Sequence, residues 1–73
     1  MKRSQIQLLI DILDNIKEPI SITHLQYKIR VNRYQIDRYI LFCYRKGFMN
    51  YNNKKLIITE KGRQLLEFLK WIA

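Results

Sequence analysis

Cysteine and histidine occur once each in these 73 residues, as Cys43 and His24, and glycine only twice. A single cysteine excludes an internal disulfide. One Cys with one His is too few for a zinc site, so no metal is expected. Two isolated glycines make no glycine-rich phosphate loop. No paired carboxylates and no nucleophile with an adjacent base stand out either, so the chain reads as a non-enzyme that needs no cofactor, and no small-molecule ligand is evident. No stretch approaches the roughly 18 uninterrupted apolar residues of a membrane span. The basic start Met1-Lys2-Arg3 is followed by apolar residues interrupted by Gln, Asp and Asn, unlike a secretory leader. The expectation is a soluble, cytoplasmic protein made of one domain over residues 1–73. A chain this short buries only about 60% of the surface its unfolded form exposes. With disulfide and metal excluded, self-association is the remaining support.

Acidic residues are also scarce, six against fourteen Lys and Arg, for a net charge of +8. The excess is concentrated. Residues 1–20 are balanced, and residues 56–73 carry +1. Between 21 and 55, Lys28, Arg30, Arg33, Arg38, Arg45, Lys46, Lys54 and Lys55 face only Asp37, a net of +7. A merely solvated surface would spread its charge more evenly, so this distribution favours a polyanionic partner.

The apolar pattern predicts α+β architecture, mainly α. Ser4 and Gln7 fit a capping box, and Ile6, Leu9, Ile10, Leu13 and Ile16 recur at helical spacing. This first helix is expected to stop near Lys17, because Glu18 precedes Pro19. Ile20-Ser21-Ile22 suits either a brief strand or a helix start. A short second helix over 22–29 has Ser21 or Thr23 as its N-cap. Asn32 caps a third over 33–46, with Ile36, Tyr39, Ile40 and Cys43 inward and Gly47 at its C-terminal stop. Strands 48–51 and 55–58 flank Asn52-Asn53-Lys54 as a hairpin. Thr59 then caps a last helix over 60–72, with Leu65, Leu66, Leu69 and Ile72 inward. Two helices about a tight turn followed by a hairpin make a winged helix-turn-helix: three-helix core, β-hairpin wing and C-terminal helix.

Tyr27-Lys28-Ile29-Arg30-Val31-Asn32 leads into Tyr34-Gln35-Ile36, then Tyr39-Ile40 and Lys46-Gly47-Phe48-Met49; Thr59-Glu60-Lys61-Gly62-Arg63 follows one hairpin later. This resembles the archaeal winged-helix transcriptional regulators, from about Arg3 to Leu69. The resemblance implies a DNA-binding homodimer, often paired through the C-terminal helix. A last helix of about four turns is too short for a long coiled coil, which leaves the pairing mode open. The isoleucine-rich composition, with twelve Ile against one Ala, resembles AT-rich coding and fits an archaeal or archaeal-virus source.

DNA binding assigns roles by position. At 100° per residue, Tyr34, Arg38, Leu41 and Arg45 project opposite the core face of the third helix. Asn32, Arg33 and Gln35 sit at its N-terminal end, where recognition helices meet base edges. Arg33, Tyr34, Gln35 and Arg38 are the candidate base readers. Arg45 is better placed for a phosphate. Thr23, His24, Lys28 and Arg30 are candidates for phosphates around the second helix. Asn52, Asn53, Lys54 and Lys55 would form the wing tip. Leu8, Ile12, Phe68 and Trp71 fall outside the main apolar faces of the first and last helices, and so mark an expected seam between two subunits. The leading expectation is a sequence-specific regulator of double-stranded DNA, nucleoid-associated, or in the host cytoplasm if viral. A nonspecific architectural DNA binder would share the charge without depending on Arg33, Tyr34 or Gln35. A winged-helix protein-protein module would not need +7 in the middle segment.

Overall fold

The computed structural model describes residues 3–73. Among these the order is α1 (Gln5–Asp14), α2 (Ile22–Ile29), α3 (Arg33–Arg45), β1 (Met49–Asn52), β2 (Lys55–Ile58) and α4 (Glu60–Ile72). Each helix begins at a side-chain oxygen that accepts the backbone N–H three residues on. The pairs are Ser4 Oγ with Gln7 at 3.0 Å, Ser21 Oγ with His24 at 3.2 Å, Asn32 Oδ1 with Gln35 at 2.7 Å and Thr59 Oγ1 with Gly62 at 3.0 Å. Each cap satisfies one of the orphan donors of a first turn. Ser21, not Thr23, is thus the cap of α2, and Thr23 lies inside the helix.

Helix α1 ends at Asp14, short of Lys17. Asn15 closes it, its amide Nδ2 donating to the Asp11 carbonyl at 2.7 Å. The chain must turn here because the Ile16 carbonyl accepts from the Ile58 N–H of β2 at 2.9 Å. Ile20 then exchanges two backbone hydrogen bonds with Leu56, at 3.0 and 2.7 Å. Ile20 thus makes a single bridge to β2, and Ser21-Ile22 starts α2. The hairpin pairs antiparallel, with Met49 opposite Ile58 and Asn52 opposite Lys55. Its start moves one residue past Phe48, which lies in the turn that closes α3. Gly47 has φ +79°, and the Gly47 and Phe48 N–H groups donate back to Tyr44 and Cys43 at 3.1 and 2.8 Å. That is a Schellman stop, and it is why glycine stands at position 47.

The core gathers Leu8, Ile12 and Leu13 from α1 and Ile16 just after it, with Leu25, Ile36, Cys43, Met49, Leu56, Leu66 and Leu69. Burial pushes the Cys43 thiol up to about 11, so it behaves as a small apolar residue. Leu8 and Ile12, expected at a subunit seam, are instead 2% and 0% exposed. Helix α1 packs against both α2 and α4, so more of its circumference is covered than one apolar stripe predicts. Its exposed isoleucine is Ile6. On α4, Leu65 is only partly buried and Ile72 is exposed, because the last turn runs past the core. Phe68 and Trp71 are exposed as expected. Asp14 fastens α1 to α4 by accepting from Lys70 Nζ at 3.0 Å, with Lys17 Nζ at the same distance. The hydrogen bonds from Lys17 and Lys70 hold its carboxyl below the usual range.

Residues 59–62 couple the end of α3 to the start of α4. Thr59 Oγ1 donates to the Gly47 carbonyl at 2.6 Å, and Lys61 Nζ donates to the Lys46 carbonyl at 2.8 Å. The Lys61 ammonium also lies 5.3 Å from the centre of the Phe48 ring. Gly62 is needed for contact: a Cβ there would overlap the Phe48 carbonyl oxygen and approach Ile58 Cγ1 to 2.8 Å. Backbone cannot yield as a flexible side chain can, so Gly62→Ala is expected to destabilise the fold by at least ~2 kcal/mol. Its thermal midpoint should fall by roughly 10 °C, and an unchanged midpoint would refute the contact's importance.

Candidate nucleic-acid interface

With Ile36 and Cys43 turned inward, α3 leaves Tyr34, Arg38, Leu41 and Arg45 exposed on its outer side. Asn32, Arg33 and Gln35 are exposed at its N-terminal end. Several of these side chains already have partners. Asn32 Oδ1 serves the cap, leaving the amide NH2 as that residue's outward donor. Arg33 Nε donates to Asp37 Oδ1 at 3.0 Å across one helical turn. The Arg38 guanidinium lies 5.8 Å from the centre of the Tyr34 ring. Arg45 stands in the last turn, beside the negative end of the helix dipole.

Thr23, His24, Lys28 and Arg30 are exposed on α2 and the turn after it. Asn52, Asn53, Lys54 and Lys55 are exposed at the wing tip. The residues expected to meet a nucleic acid are therefore all accessible, on three successive elements. Leu8 and Ile12 are removed from the other expected surface by burial, which leaves Phe68 and Trp71 of the seam at the surface.

One cation joins this region that the sequence reading left out. Arg3 precedes α1 yet reaches the α2–α3 turn, where Nη2 donates to the Ile29 carbonyl and, at 3.3 Å, to that of Arg30. Its Nη1 pairs with Asp11 at 2.8 Å. With Asn32, Tyr34, Gln35 and Arg38 it lines an open groove of about 610 Å³ beside the start of α3. In the sequence Arg3 stands among the charge-balanced residues 1–20. Only a contact spanning 26 residues brings it here.

A profile of the winged helix-turn-helix family matches residues 2–73. This chain belongs to that family. The chain is similar to an uncharacterized protein of Methanocaldococcus jannaschii, at 35% identity over 69 residues, covering 93% of this chain and 71% of the relative. Its fold is similar to the crystal structure of Sso10a-2, a DNA-binding protein from Sulfolobus solfataricus, with a TM-score of 0.85 and 26% identity, over 96% of this chain and 78% of that one. Both relatives are archaeal, in keeping with the archaeal resemblance. The family is one of non-catalytic domains, which agrees with the reading as a non-enzyme.

Two cations of this winged helix occupy backbone conformations that suit glycine. Arg30, which ends α2, has φ +58° and ψ +56°. Lys54 has φ +61° after Asn53 at +51°, the pair of positive angles that a two-residue type I′ turn requires. A left-handed conformation costs an L-residue roughly 1–2 kcal/mol, and asparagine tolerates it better than lysine or arginine. Glycine would relieve that strain at some expense in unfolded-chain entropy. Arg30→Gly and Lys54→Gly are each expected to leave stability unchanged or to raise it by up to about 1 kcal/mol. Urea unfolding measures this, and a loss larger than that would mean these side chains support the fold.

Proposed function

We propose that the protein binds double-stranded DNA, with α3 in the major groove and α2, the following turn and the wing on flanking phosphates. The observation that carries this reading is the +7 net charge of residues 21–55, exposed on those elements. Each Lys or Arg that neutralises a phosphate releases counterions, which drives binding without regard to sequence. The strained positions Arg30 and Lys54 support the same reading, since the backbone there gains nothing from a charged side chain. Likeness to a DNA-binding protein in the same fold adds to it.

Between the two kinds of DNA binding, the architectural one is favoured. The cations are spread over α2, the turn, α3 and the wing rather than focused at the start of α3. Among the candidate base readers, Arg33 is paired with Asp37 and Arg38 lies over Tyr34. Sequence-specific regulation is the second reading, and exposed Tyr34 and Gln35 at the start of α3 favour it. We further propose that two copies pair through Phe68, Trp71 and Ile72, the exposed apolar residues of α4. A cytoplasmic, nucleoid-associated location follows from this function; among the described residues no helix is long and apolar enough to cross a membrane.

Titration of random duplex at several salt concentrations tests the function. Affinity is expected to fall steeply with salt, by a log–log slope of about −0.9 per phosphate neutralised. Arg30→Gly and Lys54→Gly should weaken binding and flatten that slope by about 1 each. No duplex binding at low salt overturns the reading. Selection from a random pool separates the two kinds of binding. The architectural one predicts no enriched motif, whereas a motif whose base preferences change in Arg33→Ala or Arg38→Ala establishes the specific one. Pairing predicts a dimer mass in solution that falls to a monomer's in Trp71→Glu, and a wild-type monomer at high concentration refutes it.

A further inference from the structure

Between α3 and the wing lies an open trough of about 390 Å³, lined by Asp37, Ile40, Leu41 and Tyr44 of the helix and by Tyr51 and Leu56 of the hairpin. The helix residues are three and four apart and so form one stripe. Tyr51 and Leu56 are register partners and share one face of the hairpin. Leu56 is fully buried, whereas Leu41, Tyr44 and Tyr51 are 49%, 56% and 51% exposed. Two tyrosines thus stand open to water in the most basic part of the chain.

An intact duplex gives these rings little to meet. It offers phosphates and base edges to a protein, while the faces of its bases are stacked on one another. An unpaired base has a free face, and aromatic side chains beside cations hold single strands by stacking on it. The charges around the trough suit that occupant. Arg45 follows Tyr44 directly, and Lys54 and Lys55 follow Tyr51 within four residues, so the chain next to both rings is basic. Asp37, the one acid of this region, lies in the lining itself. Its carboxylate repels phosphate, but beyond its bond to Arg33 it can accept from the exocyclic amine of a base such as cytosine.

We propose that this trough holds an unpaired nucleobase against Tyr44 and Tyr51, making the protein a binder of single-stranded nucleic acid at a site beside the outer face of α3. The inference shares its cations with the duplex reading but not its stacking, so the two fail separately.

Fluorescence anisotropy with labelled strands of equal length tests it. The probes are oligodeoxycytidine, an abasic strand of the same phosphate count, oligocytidine RNA, and a duplex. Oligodeoxycytidine or oligocytidine is expected to bind about tenfold more tightly than the abasic strand. The double variant Tyr44→Ala/Tyr51→Ala should lose that advantage while changing duplex affinity less than about twofold. The preferred sugar identifies DNA or RNA as the source, and either supports the site. Equal binding of the abasic strand, or a base advantage that survives the double variant, overturns the proposal. The abasic comparison uses the wild-type protein and so stands even if the double variant misfolds. A base advantage without duplex binding would remove the duplex reading alone; duplex binding without a base advantage would remove the trough alone.

Discussion

The approach of α4 to the Phe48 carbonyl, possible only because Gly62 has no Cβ, is the contact on which the rest of this winged helix depends. Around it, Thr59 and Lys61 donate to the carbonyls of Gly47 and Lys46 at the C-terminal end of α3. The same few residues therefore end one helix, begin another and hold the base of the hairpin between them. The Thr59-Glu60-Lys61-Gly62 segment is accordingly a structural joint, and the polar groups of Thr59 and Lys61 are engaged in it. With the joint closed, Ile36 and Cys43 turn inward and the opposite side of α3 is left to solvent.

That outer side shows a conflict between folding and charge. Good local design would place glycine after α2 and at the second turn position of the hairpin, where φ is positive. The chain has Arg30 and Lys54 instead. Asp37 works in the other direction, as a lone acid that holds Arg33 in a defined position across one turn. An exposed pair of this kind contributes little stability, typically under ~1 kcal/mol. Its effect is on where the charge sits.

Much of the fold was legible because it is written in local signals. Ser4, Ser21, Asn32 and Thr59 each stand before a helical run, and Gly47 stands after one. The accessible candidates on α2, α3 and the wing were legible for a similar reason: a three-residue inward repeat leaves the remaining positions outside. What failed were judgements about sides. Leu8 and Ile12 looked surplus because one apolar stripe suffices for a helix packed on one face, but α1 is covered from two. Arg3 looked like part of a balanced terminus because its partners at Ile29 and Arg30 are remote in sequence.

The concentration of charge was likewise fixed by the amino acids alone, since +7 in residues 21–55 needs no coordinates to be seen. Helix order, caps and the glycine stop were also decided locally, because each rests on hydrogen bonds between residues a few positions apart. Tertiary structure decided which faces remain free. It ended α1 at Asp14 to meet β2 and took Leu8 and Ile12 into the core. It carried Arg3 to the turn and set Tyr51 across from Tyr44 along a shared trough. Those outcomes depend on contacts between distant segments, and no local periodicity encodes which segment will arrive.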